Sequence, residues 1–170
     1  MKNFFLWLMG LALICACSSE PDDPHRKALE EYAKSHIEVP ESYKFDEMNL
    51  EFEHTYNYPL VEYRLKMQKY AEQPDIDLEA LRAEDDKLQV LLDKFGFDKV
   101  CNEYHLWFWC KNPATGEKQR RAVKARYDMN DKLIGIVITP DSFHENPAVR
   151  IMKDKGLLDF CSHPEWFPNK

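Results

Sequence analysis

Residues 100–110, VCNEYHLWFWC, alternate between two chemically different sets of side chains. An alternation of period two is typical of a β-strand whose two faces meet different surroundings. We therefore predict a strand here, with its more apolar face toward the core of the protein. The more apolar set comprises Tyr104, Leu106, Phe108 and Cys110, and the other set comprises Glu103, His105, Trp107 and Trp109.

Two more strands are predicted after this one. Residues 111–118, KNPATGEK, contain the proline and glycine typical of a turn, and QRRAVKARY at 119–127 can then pair back. DMND at 128–131 turns the chain again, and KLIGIVIT at 132–139 is rich in β-branched residues. Together these stretches predict an antiparallel meander.

The segments before the meander are mostly helical in pattern. RKALEEYAKSHI at 26–37 has apolar residues at helical spacing, and Pro40 ends that pattern. PESYKFDEMNLEFEH at 40–54 reads as a strand whose alternation slips near Glu47, as a β-bulge would cause.

Two further helices are predicted between these strands. In LVEYRLKMQKYAEQ at 60–73, the apolar residues fit both the alternation of a strand and the spacing of a helix. We favour a helix because most of its residues are good helix formers. In DLEALRAEDDKLQVLLDKFG at 77–96, Asp77 can cap a helix and Gly96 can end it. The prediction is one α+β domain at 26–170, with N-terminal helices packed on an antiparallel sheet and an irregular C-terminal tail.

The first residues have the pattern of an export signal. Lys2 precedes a short apolar run at 4–14, and the run ends in ICAC at 14–17. That stretch resembles the bacterial lipobox, with Ile14 at its aliphatic position. The resemblance implies a signal peptide at 1–16, cleavage after Ala16, and a diacylglycerol thioether and further acylation at Cys17. Two or more acyl chains hold a protein stably on a membrane.

An acidic, proline-containing stretch follows the lipobox, and we predict a flexible tether at 17–25. It also resembles the surface-export signal of Bacteroidota lipoproteins, while a merely solvated linker is an equal alternative. The expected location is the cell envelope, anchored to the outer membrane by lipid, with periplasmic and surface exposure both open.

The order of predicted elements over residues 26–139 is similar to that of cystatin-like and NTF2-like α+β lipoproteins of Bacteroidota. The likeness depends on a first helix, a PESYKF-type strand, paired helices and long hairpins. It implies a fold and no functional residues beyond Cys17.

Three cysteines remain after lipidation of Cys17, and an exported protein favours a disulfide. Cys101 and Cys110 lie on one predicted strand, roughly 30 Å apart, far beyond the ~7 Å limit for a bridge. Cys161 therefore pairs with Cys110 or with Cys101, or all three stay reduced. A zinc site with His105 is disfavoured because no C-x-x-C spacing occurs, so we predict no metal.

The polar face of the predicted meander combines tryptophans with cations on a chain of net charge −7. Arginine and tryptophan are typical anchors of binding surfaces. An equal alternative is that the tail HPEWFPNK at 163–170 covers these rings, or that nearby acids neutralise the cations. The candidate binding patch comprises Trp107, Trp109, Arg120, Lys124 and Arg126.

Two acidic stretches could in principle hold a cation. EDD at 84–86 and DMND at 128–131 both lack the twelve-residue spacing and closing glutamate of an EF-hand. A solvated helix face and a hairpin turn are the favoured interpretations.

The sequence contains no nucleophile elbow, phosphate-binding loop or HExxH motif. The acidic composition excludes general nucleic-acid binding. We predict a lipid-anchored, non-enzymatic binding or accessory module without a cofactor, whose partner is an envelope protein or a glycan. An immunity-type or inhibitor lipoprotein that blocks a partner protein is the alternative, and an enzyme with a dispersed site is the least favoured.

Overall fold

A computed structural model describes residues 23–74, 76–159 and 161–163, so the predicted signal peptide and lipid-attachment cysteine lie outside the described residues. The first helix, α1, spans Pro24–His36. It begins there because the Asp23 carboxylate accepts a hydrogen bond from the backbone N–H of His25, at 2.9 Å, and proline fits the first helical position. Pro24 and His25, predicted as tether, therefore belong to the helix.

The sheet has four antiparallel strands in the order β1-β2-β3-β4. Its register shifts between Phe45 and Glu47, which confirms the predicted slip. Because β1 and β4 lie at the edges, β2 and β3 carry the central part of each face. The strands are β1 at Lys44–Thr55, β2 at Lys99–Lys111, β3 at Lys118–Asp128 and β4 at Leu133–Ile138.

Two helices connect β1 to β2, as predicted: α2 spans Asn57–Tyr70 and α3 spans Leu78–Phe95. Asp77 caps α3, because its carboxylate accepts hydrogen bonds from the N–H groups of Glu79 and Ala80, both at 3.0 Å. None of the helices in the described part of the chain is long and apolar enough to cross a membrane.

The predicted irregular tail contains a helix, α4, at Pro147–Asp154, and this corrects the sequence analysis. Asn146 caps it by accepting a hydrogen bond from the N–H of Ala148, at 2.9 Å. The helix exists because its apolar side chains, among them Val149 and Met152, are fully buried in a cluster with residues of α2, α3 and the start of β2. Tertiary burial therefore stabilises a segment too short to show a clear helical period.

Two apolar clusters form the interior. The first lies where α1 packs on one face of the sheet, which we call the inner face, and it contains Leu29, Phe108 and Val123. The second joins α2, α3 and α4 to the start of β2, where Val100 contributes. Because Leu106, Phe108 and Cys110 all belong to the first cluster, the predicted direction of the apolar face of β2 is confirmed.

Candidate functional site

The face of the sheet opposite α1, here called the outer face, carries all five residues of the predicted patch. Residues paired across an antiparallel ladder project to the same side of the sheet. The five residues therefore share a face, on the two central strands. The paired positions are Trp109 with Arg120, Trp107 with Ala122, His105 with Lys124, and Glu103 with Arg126.

Trp107 and Trp109 lie toward the β2–β3 hairpin and are partly exposed. The Arg120 guanidinium carbon is 4.5 Å from the centre of the Trp107 ring, and the Lys118 ammonium is 5.0 Å from the centre of the Trp109 ring. Both distances are typical of cation–π contacts. Sequence reasoning missed Lys118, although the period-two pattern of β3 continues back to that position.

Arg120 is held by two consecutive acidic residues of β1. Its Nε donates to Asp46 at 2.8 Å and its Nη2 donates to Glu47 at 2.5 Å. The register shift between Phe45 and Glu47 lets both carboxylates reach one guanidinium. For Arg120, the alternative that nearby acids neutralise the cations of the patch is therefore correct.

The other end of the outer face is built around a buried carboxylate, Glu103, which is only 5% exposed. One of its oxygens accepts hydrogen bonds from His54 at 2.9 Å and from Arg126 at 2.7 Å, and the other accepts from His105 at 2.9 Å. Burial alone would raise the pKa of Glu103, but these hydrogen bonds lower it to about 2. Glu103 is therefore an ionised and fully engaged group at neutral pH.

Arg126 differs from the other residues of the predicted patch because it lies beneath the segment that follows β4. Its guanidinium carbon is 3.7 Å from the centre of the Phe143 ring, and its Nη1 donates to the backbone carbonyl of Glu145 at 2.8 Å. The side chain is only 13% exposed. Arg126 therefore links the Glu103 carboxylate to the segment that follows β4. Of the five residues of the predicted patch, only the other four are open to a partner.

Lys124 lies between the two ends of the outer face. It is partly exposed, pairs with His105 across the strands, and makes no ion pair with any acid in the described part of the chain. Its ammonium group is thus available to a ligand.

The three cysteines in the described residues are free thiols, so neither candidate disulfide is formed. Cys110 lies in the first apolar cluster and Cys161 packs on the second, so the Cys110–Cys161 pair is separated. The Cys161 thiol instead donates to the Tyr63 hydroxyl at 2.9 Å. Burial raises the pKa of Cys101 to about 12, so this thiol remains protonated and unreactive at neutral pH.

The EDD stretch is the predicted solvated helix face at Asp86, which is exposed, but not at Glu84, which is only 5% exposed. Its Oε1 accepts hydrogen bonds from the Tyr63 hydroxyl at 2.5 Å and from the N–H of Ser162 at 2.7 Å. Burial and the hydrogen bonds to Cys161 and Glu84 raise the pKa of Tyr63 far above its usual range. Glu84 therefore joins α2, α3 and the C-terminal segment.

The DMND stretch is the predicted hairpin turn. The Asp128 carboxylate accepts hydrogen bonds from the N–H groups of Asn130 and Lys132, at 2.8 Å and 2.9 Å. Across residues 23–74, 76–159 and 161–163, no group of three histidine, cysteine or acidic side chains is placed to bind a metal. Of the tail at 163–170, predicted as an alternative cover for the tryptophans, all residues but His163 lie outside the described residues.

A cavity of about 410 Å³ lies between the start of α1 and the first half of β1. Arg26 and Phe45 line it, and the Arg26 guanidinium carbon is 3.7 Å from the centre of the Phe45 ring. Its wall includes Asp46 and Glu47, whose carboxylates are already bound to Arg120. The described residues that line the cavity include no serine, threonine, cysteine or histidine.

Comparisons with protein-family models, curated proteins and solved structures found no significant match for this chain.

Proposed function

We propose that this protein is a lipid-anchored binding or accessory module of the bacterial envelope and that it binds its partner through the outer face. The observation that carries the proposal is the pair of partly exposed tryptophans, Trp107 and Trp109, contacted by Arg120 and Lys118. Aromatic rings beside cations offer a partner both apolar contact area and charge.

The state of the buried polar groups supports binding rather than catalysis. A general acid at neutral pH needs a pKa near 7, whereas the pKa of Glu103 is about 2. A nucleophilic cysteine needs a lowered pKa, whereas that of Cys101 is raised to about 12.

The proposed anchor is the lipidated Cys17 of the lipobox, on the outer membrane. Cys17 precedes the first helical residue, Pro24, by seven positions. Even a fully extended tether of that length reaches at most roughly 25 Å. The domain would therefore stay close to the membrane and encounter partners on or near its surface.

We also propose that the domain belongs to the cystatin-like or NTF2-like folds. The packing of α1 across the inner face of a four-stranded antiparallel meander supports this assignment.

A capture experiment with the full tagged chain, expressed in a bacterial envelope and cross-linked before extraction, tests the binding function. Trp107→Ala should weaken partner recovery by about fivefold or more, because an anchoring tryptophan contributes more than about 1 kcal/mol. Phe97→Ala is the matched control, since Phe97 is 84% exposed and lies between α3 and β2, away from the outer face.

The melting temperature of each variant is measured in parallel. Equal recovery of partner by the wild type, Trp107→Ala and Phe97→Ala would contradict the proposal, as would a loss of recovery that merely follows a loss of folding.

A further inference from the structure

The hairpin end of the outer face carries three lysines that sequence analysis did not select. Lys44 of β1 pairs with Trp109, and Lys111 of β2 pairs with Lys118 of β3. Lys111 lies two residues beyond Trp109 on the same strand, so both side chains project to the outer face. We call Lys44, Lys111 and Lys118 the lysine cluster, and all three are exposed.

The charge of the lysine cluster is not neutralised by its surroundings. None of the three lysines forms an ion pair with an acid among the residues that the structure describes. Of the nearby acids, Asp46 and Glu47 bind Arg120, and the exposed Glu117 carboxylate accepts the Thr115 hydroxyl at 3.4 Å and keeps its own charge. On a chain of net charge −7, this is a local site for an anion.

The geometry combines that charge with an aromatic ring at its centre. Lys44 and Arg120 flank Trp109 on the two neighbouring strands, about 4.8 Å to either side, and Lys111 follows about 6.6 Å along β2. The surface is one face of a sheet, and an open face suits an extended ligand better than a small molecule, which needs a concave pocket.

We propose that the lysine cluster and Trp109 bind an acidic polysaccharide, a chain of sugar rings that carry carboxylates. The inference rests on the proposed binding function and names the ligand class for the same face. A sugar ring presents a face of C–H groups that packs on the electron-rich face of an indole. Its carboxylates would meet the ammonium groups of Lys44, Lys111 and Lys118, whereas the Arg120 guanidinium is already paired with Asp46 and Glu47.

An acidic protein segment without aromatic residues or proline would satisfy the lysines but would leave the indole without a ring to pack on it. The arrangement of one central ring between cations therefore favours the sugar polymer, and an acidic peptide becomes an outcome of the test.

The test is affinity electrophoresis or calorimetry with the full chain in detergent and three probes: polygalacturonate, neutral dextran and polyglutamate. The first should bind and the second should not, and binding should weaken at high salt because the contacts are exposed charges. Lys111→Ala/Lys118→Ala should weaken polygalacturonate binding about tenfold, and Trp109→Ala should weaken it by a similar factor.

The matched control is Lys69→Ala/Lys87→Ala, which removes the same charge from exposed positions on α2 and α3. Polyglutamate binding as tight as polygalacturonate, or an equal loss in the control variant, would overturn the polysaccharide assignment. If polygalacturonate does not bind but envelope capture still depends on Trp107, the ligand class is wrong and the binding function stands.

Discussion

Glu103 on β2 receives hydrogen bonds from both neighbouring strands, through His54 on β1 and Arg126 on β3. His105 on its own strand supplies a third donor. A buried charge is tolerated only when it is paired and hydrogen-bonded, and all three contacts meet that need. The removal of any one donor would leave part of a buried carboxylate unsatisfied.

The lowered pKa of Glu103 makes folding stability depend on pH in a defined direction. Its pKa is about 2 in the folded protein and near the ordinary 4.5 when unfolded. The contribution is therefore fully present above about pH 4.5 and is lost as the pH falls toward 2. This contribution to the free energy of unfolding is roughly 3 kcal/mol, and Glu103→Gln should lower the free energy of unfolding by a comparable amount at pH 7.

The measurement is the free energy of unfolding in urea across this pH range for both proteins. The difference between wild type and Glu103→Gln should shrink as the pH falls from 4.5 toward 2, because the wild-type carboxylate becomes protonated. A difference that stays constant over that range would show that folding does not lower the pKa of Glu103.

Period-two reasoning placed Glu103, His105 and Trp107 on one face correctly, because side-chain direction on a strand follows from position alone. It could not show which parts of that face are covered, since Phe143 and Glu145 come from a segment without a periodic pattern. It also missed the burial of Glu84, whose partners Tyr63 and Ser162 are 21 and 78 positions away.

At the scale of single elements, α3 has the clearest start signal. Asp77 accepts hydrogen bonds from two backbone N–H groups that would otherwise lack a partner within the helix. Asp77→Ala should therefore lower the free energy of unfolding by about 1 kcal/mol, whereas Asp77→Asn should change it by only a few tenths, because asparagine caps equally well.

Chemical denaturation of the three proteins at neutral pH measures this effect. If Asp77→Asn lowers the free energy of unfolding as much as Asp77→Ala does, the contribution of Asp77 comes from its charge and not from the capping hydrogen bonds.

Among the α-helices, those that the sequence could predict have long apolar patterns, and the one that it missed, α4, is short. The period of α3 extends over eighteen residues, whereas α4 has eight and begins with a proline. The segment that forms α2 has apolar residues that also alternate as in a strand. The helix propensity of its residues nevertheless predicted a helix, which is confirmed.

At the scale of the whole molecule, β2 joins the two apolar clusters, with Val100 in the second and Phe108 in the first. The α+β class could be predicted because the order of elements determines how the layers pack. The packing of α4 into the second cluster could not be predicted, because it depends on apolar residues that are far apart in the chain.

The proposed anchor also belongs to this scale. Cys17→Ala should abolish metabolic labelling by a fatty acid and leave the precursor uncleaved, because the thioether and the new N-terminus both require that cysteine. Labelled palmitate followed by electrophoresis measures this, with Cys15→Ala as the matched control that should retain the label. Labelling that survives Cys17→Ala and disappears in Cys15→Ala would assign the anchor to the other cysteine.

The edge strand β1 has a further consequence for how copies of the protein coexist. A long, straight edge strand is a template onto which another chain can add, and this is a common route to aggregation. The ladder of β1 breaks its register at three places, and the two residues at the first two breaks, Asp46 and Glu51, are acidic. Irregular spacing and repulsion between like charges both oppose the pairing of two β1 strands, so neighbouring copies of the domain can lie close together and remain separate.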